Sequence, residues 1–178
     1  DGNFVEDTAT IENIAPVVDS VTLTPSTVYT NDTITATAVL SDADSSQSGS
    51  LTATYEWFVD GSSVQNGSSN TLNGTTMFDR DQSVYVEATA NDGVEDGSPV
   101  QSSSITVSNT APVMSSVTVT PDPATAGQDD LTCDATATDV DGDSILYTYE
   151  WSDSNGVQQT MTEVSDVSDT FLTAGLSE

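Results

Sequence analysis

The chain has 178 residues, 29 acidic and one basic, no histidine and a formal net charge of −28; such a surface repels nucleic acid and anionic membranes and disfavours both as partners. Without histidine or lysine it lacks the commonest general base, the commonest zinc ligand and the amine needed for Schiff-base chemistry. Hydrophobic residues make up 35% and aromatics 6%, Ser and Thr abound, and no apolar run has helical spacing or membrane length, so an all-β protein with thin cores is expected.

Residues 1–12 come first. DGNFVEDTATIENIAPV at the start aligns with NDGVEDGSPVQSSSITVSNTAPV further on, so this piece is expected to be the last strand of a preceding or neighbouring unit. Residues 13–108 then form one complete unit, read from two-residue alternation. SVTLTP places Val21 and Leu23 on one face and stops at Pro25. TITATAVL turns Ile34, Ala36, Ala38 and Leu40 inward, and LTATYEWFVDG turns Leu51, Ala53, Tyr55, Trp57 and Val59 inward before a turn at Asp60 and Gly61. SSVQNG and NTLNGTTMF are weaker edge segments. SVYVEATANDG supplies Val84, Val86, Ala88 and Ala90, and SSSITVSN closes the unit with Ile105 and Val107. About seven short strands with regular turns are the pattern of an immunoglobulin-like β-sandwich, with Trp57 in its core.

From Asn109 the series begins again. NIAPVVDSVTLTP matches NTAPVMSSVTVTP, DTITATAVLSDAD matches DDLTCDATATDVD, and TATYEWFVDG matches LYTYEWSDSNG, all in the same order. The unit has been duplicated, with a period that suits a sandwich domain of about 100 residues. SDTFLTAGLSE then matches SNTLNGTTMFDR, and no counterpart of SVYVEATAN follows. Residues 109–178 are therefore expected to be an incomplete sandwich holding the first five strands. Loss of the sixth, central strand would expose the core and a row of unpaired backbone groups. Two completions are open: the residues are a window of a longer tandem array, or a neighbour donates strands, as in donor-strand complementation. Because residues 1–12 offer a last strand but no sixth one, the array is favoured.

Three sets of side chains carry candidate chemistry. DVDGD sets Asp139, Asp141 and Asp143 around a Gly turn, and DAD sets Asp42 and Asp44 at the same place in the first unit, with Asp92 of NDG expected at the same end of the sandwich. Alternate carboxylates of this kind can hold Ca²⁺; the competing reading is an Asp-rich turn that caps its own backbone N–H groups. Asn31, Asn66 and Asn73 satisfy N-x-S/T and permit glycosylation of a secreted chain. The linkers ENIAP and SNTAP read as plain Pro-restricted connectors that limit swing between units. No nucleophile elbow, P-loop or zinc spacing is present, so no enzyme is expected.

The unit N-x-APV…VTLTP…DxD…TYEW…NDG resembles the tandem immunoglobulin-like repeats of large secreted bacterial and archaeal surface proteins, more loosely PKD-type and cadherin-like domains. The PKD signature and the full cadherin calcium linker are both missing. The resemblance spans essentially the whole chain and implies an extracellular or cell-surface stalk, fibre or filament that Ca²⁺ could stiffen, with other copies or continuing repeats as partners. The alternatives are an adhesin or carbohydrate-binding accessory module that recognises glycans, and a pilus-like subunit completed by a neighbour. For a glycan platform, the outward aromatics Phe58, Tyr29 and Phe78 are scattered. The immunoglobulin pattern also implies that Cys133, the counterpart of inward Ala36, pairs in a disulfide with a residue beyond the chain end, at the counterpart of Val86. A small buried hydrophobe is the other reading of this cysteine.

Overall fold

The computed structural model describes residues 7–44, 50–125 and 127–172. Its elements are almost all strands, and the chain divides into two compact units, Asp1–Asn109 and Thr110–Glu178. Among the described residues no helix is long and apolar enough to cross a membrane.

In chain order unit 1 contains β1 (Val17–Thr24), β2 (Val28–Tyr29), β3 (Thr33–Ser41), β4 (Thr52–Val59), β5 (Ser62–Gly67), β6 (Thr71–Asn73), the helical turn α1 (Gly74–Met77), β7 (Ser83–Asn91), β8 (Val100–Gln101) and β9 (Ile105–Ser108). One sheet has the order β1-β3-β6 and the other the order β2-β9-β7-β4-β5, with β8 also on β7. Alternation decides which face of each strand is buried. Ile34 and Ala36 from β3, Trp57 from β4, Leu72 from β6 and Val84 and Val86 from β7 meet in one fully buried cluster. The Trp57 indole N–H is satisfied by the Ser69 carbonyl at 3.3 Å, as a buried donor requires. Between β4 and β5 the chain reverses through Asp60 and Gly61, both at positive φ (48° and 77°), the handedness that a two-residue hairpin demands.

β7 is the centre of this arrangement. It pairs with β4 from Val84 to Asn91, Trp57 opposite Val86 and Tyr55 opposite Ala88, and with β8 and β9 on its other edge. Every second residue, Val84, Val86, Ala88 and Ala90, is 0% exposed.

One aromatic departs from the expectation. Phe78 is buried (2% exposed) in the main core cluster rather than outward. NTLNGTTMF is a strand only as far as Asn73, whose side chain then accepts the Thr75 N–H at 2.9 Å and caps α1. A helical turn breaks the two-residue period and swings the next side chain inward. The strand expected over residues 1–12 lies partly outside the described residues; residues 7–12 form no strand, and Ile11 is 91% exposed.

Unit 2 contains β10 (Val113–Thr120), β11 (Leu131–Thr138), β12 (Tyr147–Asp153), β13 (Gly156–Val164) and β14 (Ser168–Phe171). Its β10-β11-β14 sheet repeats β1-β3-β6 in register. Val113 faces Thr138 as Val17 faces Ser41, the same irregularity follows Met114 and Val18, and Phe171 faces Leu131 as Leu72 faces Ile34. Among the described residues the other sheet holds β12 and β13 alone. Fewer side chains are enclosed as a result: Ala135, Tyr147 and Tyr149 are buried, with Cys133, Ala137, Ile145 and Val164 packed partly against them. Trp151 is half-buried and stacks on Phe171 at 5.5 Å. Its indole N–H donates to the buried Asp169 carboxylate at 2.8 Å, which also accepts from the Gln159 amide. β10 is exposed at every position. The β2 position has no strand among the described residues of unit 2; in unit 1 that strand is held by parallel pairing with β9.

Candidate metal centre

In unit 1 the loop after β3 folds on itself. Asp42 Oδ1 accepts the Asp44 N–H at 2.7 Å, and Asp44 Oδ2 accepts the Ile14 N–H at 2.9 Å. The loop after β7 does likewise: Asp92 Oδ1 takes the N–H groups of Val94 (2.7 Å) and Glu95 (2.9 Å). Between these loops lies Asn13, whose side-chain N–H₂ donates to Asp92 Oδ2 at 3.0 Å and to Glu95 Oε1 at 2.9 Å. One short stretch, Asn13–Ile14, therefore ties both acidic loops together. The next turn of chain is fixed too. Pro16 is buried, and its carbonyl lies where a side chain at Gly97 would begin, 2.0 Å from an added Cβ. Only glycine admits that approach.

Asp92 is only 3% exposed. Burial alone would raise its pKa, yet the carboxyl is held below its usual range, first by the Glu95 N–H and then by the Asn13 amide. Two acceptors at this end, Asn13 Oδ1 and Asp42 Oδ2, are buried and have no hydrogen-bond donor among the described residues. Buried oxygens of that kind are unfavourable unless something positive meets them.

Unit 2 builds the same loop. Asp139 Oδ1 accepts the N–H groups of Asp141 (2.8 Å) and Asp143 (3.3 Å), and Asp141 Oδ2 accepts the Thr110 N–H. These contacts match Asp42–Asp44 and Asp44–Ile14 in unit 1. Gly142, at φ +74°, makes the tight turn. One carboxylate oxygen from each of Asp139, Asp141 and Asp143 lies within 4.8 Å of the others. Charges at that spacing repel by about 1 kcal/mol per pair even at the dielectric of water, and Asp139 Oδ2 is another buried acceptor with no donor among the described residues. A hard cation with oxygen ligands would relieve both.

Of the expected metal residues, Asp139, Asp141 and Asp143 come together as a triad, which the described residues of unit 1 do not reproduce. Asp42, Asp44 and Asp92 are instead joined through Asn13 and Ile14. The capping reading holds in both units, since Asp42, Asp92 and Asp139 accept backbone N–H groups; for the metal reading, the Asp139, Asp141 and Asp143 cluster could hold an ion. Asn13 and Glu95 were not singled out from sequence. The signals for them were the Asn repeated ahead of both APV motifs and the acid three residues after Asp92. The connector ENIAP is accordingly part of the loop end and not a plain linker.

The remaining candidates are dispersed. Cys133 is a half-buried free thiol whose pKa is raised by burial and then by Asp134 and Asp169. Asn31, Asn66 and Asn73 are all exposed. Phe58 stacks on Tyr85 at 4.8 Å, nearly parallel, while Tyr29 is 43% exposed. Compared with protein-family models and with curated protein sequences, the chain matches none.

Proposed function

We propose that the chain is a structural segment of an extracellular fibre or stalk, made of immunoglobulin-like repeats whose loop ends are clamped by a divalent cation, Ca²⁺ by its preference for oxygen ligands. The observation that carries this reading is the seating of Asn13, Ile14 and Pro16 on the acidic loops of unit 1, with the Thr110–Asp141 contact at the same place in unit 2. A repeat whose leading segment is fastened to its own loops transmits force through a short, stiff path. Asp139, Asp141 and Asp143 would hold the ion in unit 2, while in unit 1 the hydrogen bonds of Asn13 and Ile14 fasten the loops that carry Asp42, Asp44 and Asp92. Exposed Asn31, Asn66 and Asn73 suit glycosylation of such a surface protein. An adhesive, glycan-binding role is the second reading, favoured by the Phe58–Tyr85 stack on the strand faces turned away from the core.

Titration of the metal-free full chain with Ca²⁺, followed by calorimetry, tests the proposal. The melting temperature is expected to rise with Ca²⁺, and Asp139→Asn with Asp141→Asn should remove the part of that gain belonging to unit 2. Identical melting in Ca²⁺ and in chelator would refute the clamp.

A further inference from the structure

We propose that unit 2 is a receptor for one extended polypeptide strand of the β7 type, with small apolar side chains at alternate positions, lying antiparallel along the free edge of β12. The inference rests on the correspondence of the two repeats and not on a cation.

The first observation is a cavity of about 430 Å³ lined by apolar side chains, among them Met114, Val117, Val119, Cys133, Tyr149 and Trp151. Met114 is 51% and Val117 59% exposed, whereas Val18, the unit 1 counterpart of Met114, is 6% exposed. Contiguous apolar surface of that kind marks a binding site. The second observation is the edge: β12 pairs with β13 on one side, and among the described residues no strand lies on the other. An open strand edge is a template for another strand. The third is the occupant of the equivalent groove. In unit 1 that place is filled by β7, whose Val84, Val86, Ala88 and Ala90 are wholly buried.

The register follows residue by residue. Trp57 faces Val86 and Tyr55 faces Ala88, so the incoming strand sets a Val-sized residue against Trp151 and an Ala-sized one against Tyr149. Its inward side chain at the Val86 position approaches Cys133, because Ala36, the counterpart of Cys133, shares a buried cluster with Val86. A second copy of the described residues does not supply this strand. Its own β7 is locked between β4 and β9, and its residues 7–12 match β9, not β7.

The test uses the full chain in excess EDTA, which separates it from the calcium reading, and a synthetic peptide of residues 81–108. The peptide carries Val86→Cys activated as a thiopyridyl mixed disulfide. The chain has one cysteine, and its thiolate attacks the peptide sulfur, forming the new S–S bond and expelling pyridine-2-thione, which is counted by absorbance. Linking is expected to be roughly tenfold faster or more than with Tyr85→Cys, whose side chain points away from the core, and to slow when unmodified peptide competes. Tryptophan emission should shift to the blue as half-exposed Trp151 is covered. Equal rates for the two peptides, or no competition, would overturn the proposal. So would sedimentation showing a dimer in which Cys133 is shielded from both, since a second copy would then fill the groove.

Discussion

The two units share one sheet and differ in the other, which isolates what a central strand contributes. β1-β3-β6 and β10-β11-β14 have the same register, down to the irregularity after Val18 and Met114. Among the described residues, a core of ten buried residues forms around Trp57 where β7 is present, and the buried cluster of unit 2 has three. The β1-β3-β6 type of sheet is therefore specified by its own alternation and pairing. Burial of its inner face depends on a strand that lies far along the chain.

The sharpest way to break this comparison is to truncate the equivalent tryptophans. Trp57→Ala should cost about 3–5 kcal/mol, since it empties a fully enclosed site. Trp151→Ala should cost roughly half as much or less, because solvent and Phe171 already share that surface. Urea unfolding of the full chain, with hydrogen exchange to assign each transition, reads both; equal losses would mean that the units are equally closed.

A smaller effect is expected at Gly97. An added methyl meets the Pro16 carbonyl at 2.0 Å, so Gly97→Ala should destabilise unit 1 by about 1–3 kcal/mol and loosen the Asn13 contacts. Faster exchange of the Ile14 amide would register the second effect. An unchanged exchange rate would show that the leading segment is not held by this loop.

The smallest effect concerns pH. Donors from Glu95 and Asn13 favour ionised Asp92, so the folded chain binds that proton more weakly than the unfolded one. Its contribution is complete above the usual carboxylate range and is lost as pH falls through the depressed value. The stability difference between the wild type and Asp92→Asn should shrink as pH falls from neutral through and below the usual carboxylate range. A gap that stays constant with pH would show that the charge of Asp92 plays no part.

Much of unit 1 was legible because alternation reports burial directly. Ile34, Ala36, Trp57 and Val86 were placed inward by period alone, and all are fully buried. Phe78 was not, since a four-residue helical turn leaves no periodic trace and its only signal was the Asn73 cap. At the loop ends, the carboxylates of DAD, DVDGD and NDG stood out by composition. Asn13 and Glu95 did not, because their role comes from hydrogen bonds spanning about eighty residues.

The sequence by itself determined that the chain is all β, which face of most strands is buried, and that one pattern occurs twice. These are short-range properties, set by side-chain alternation and turn chemistry. Only the tertiary structure decided that Asn13 fastens two acidic loops, that Pro16 needs Gly97 beneath it, and that unit 2 presents an apolar groove beside an open β12 edge. Those features arise where distant segments meet, and no local pattern encodes a contact whose partner lies elsewhere in the chain.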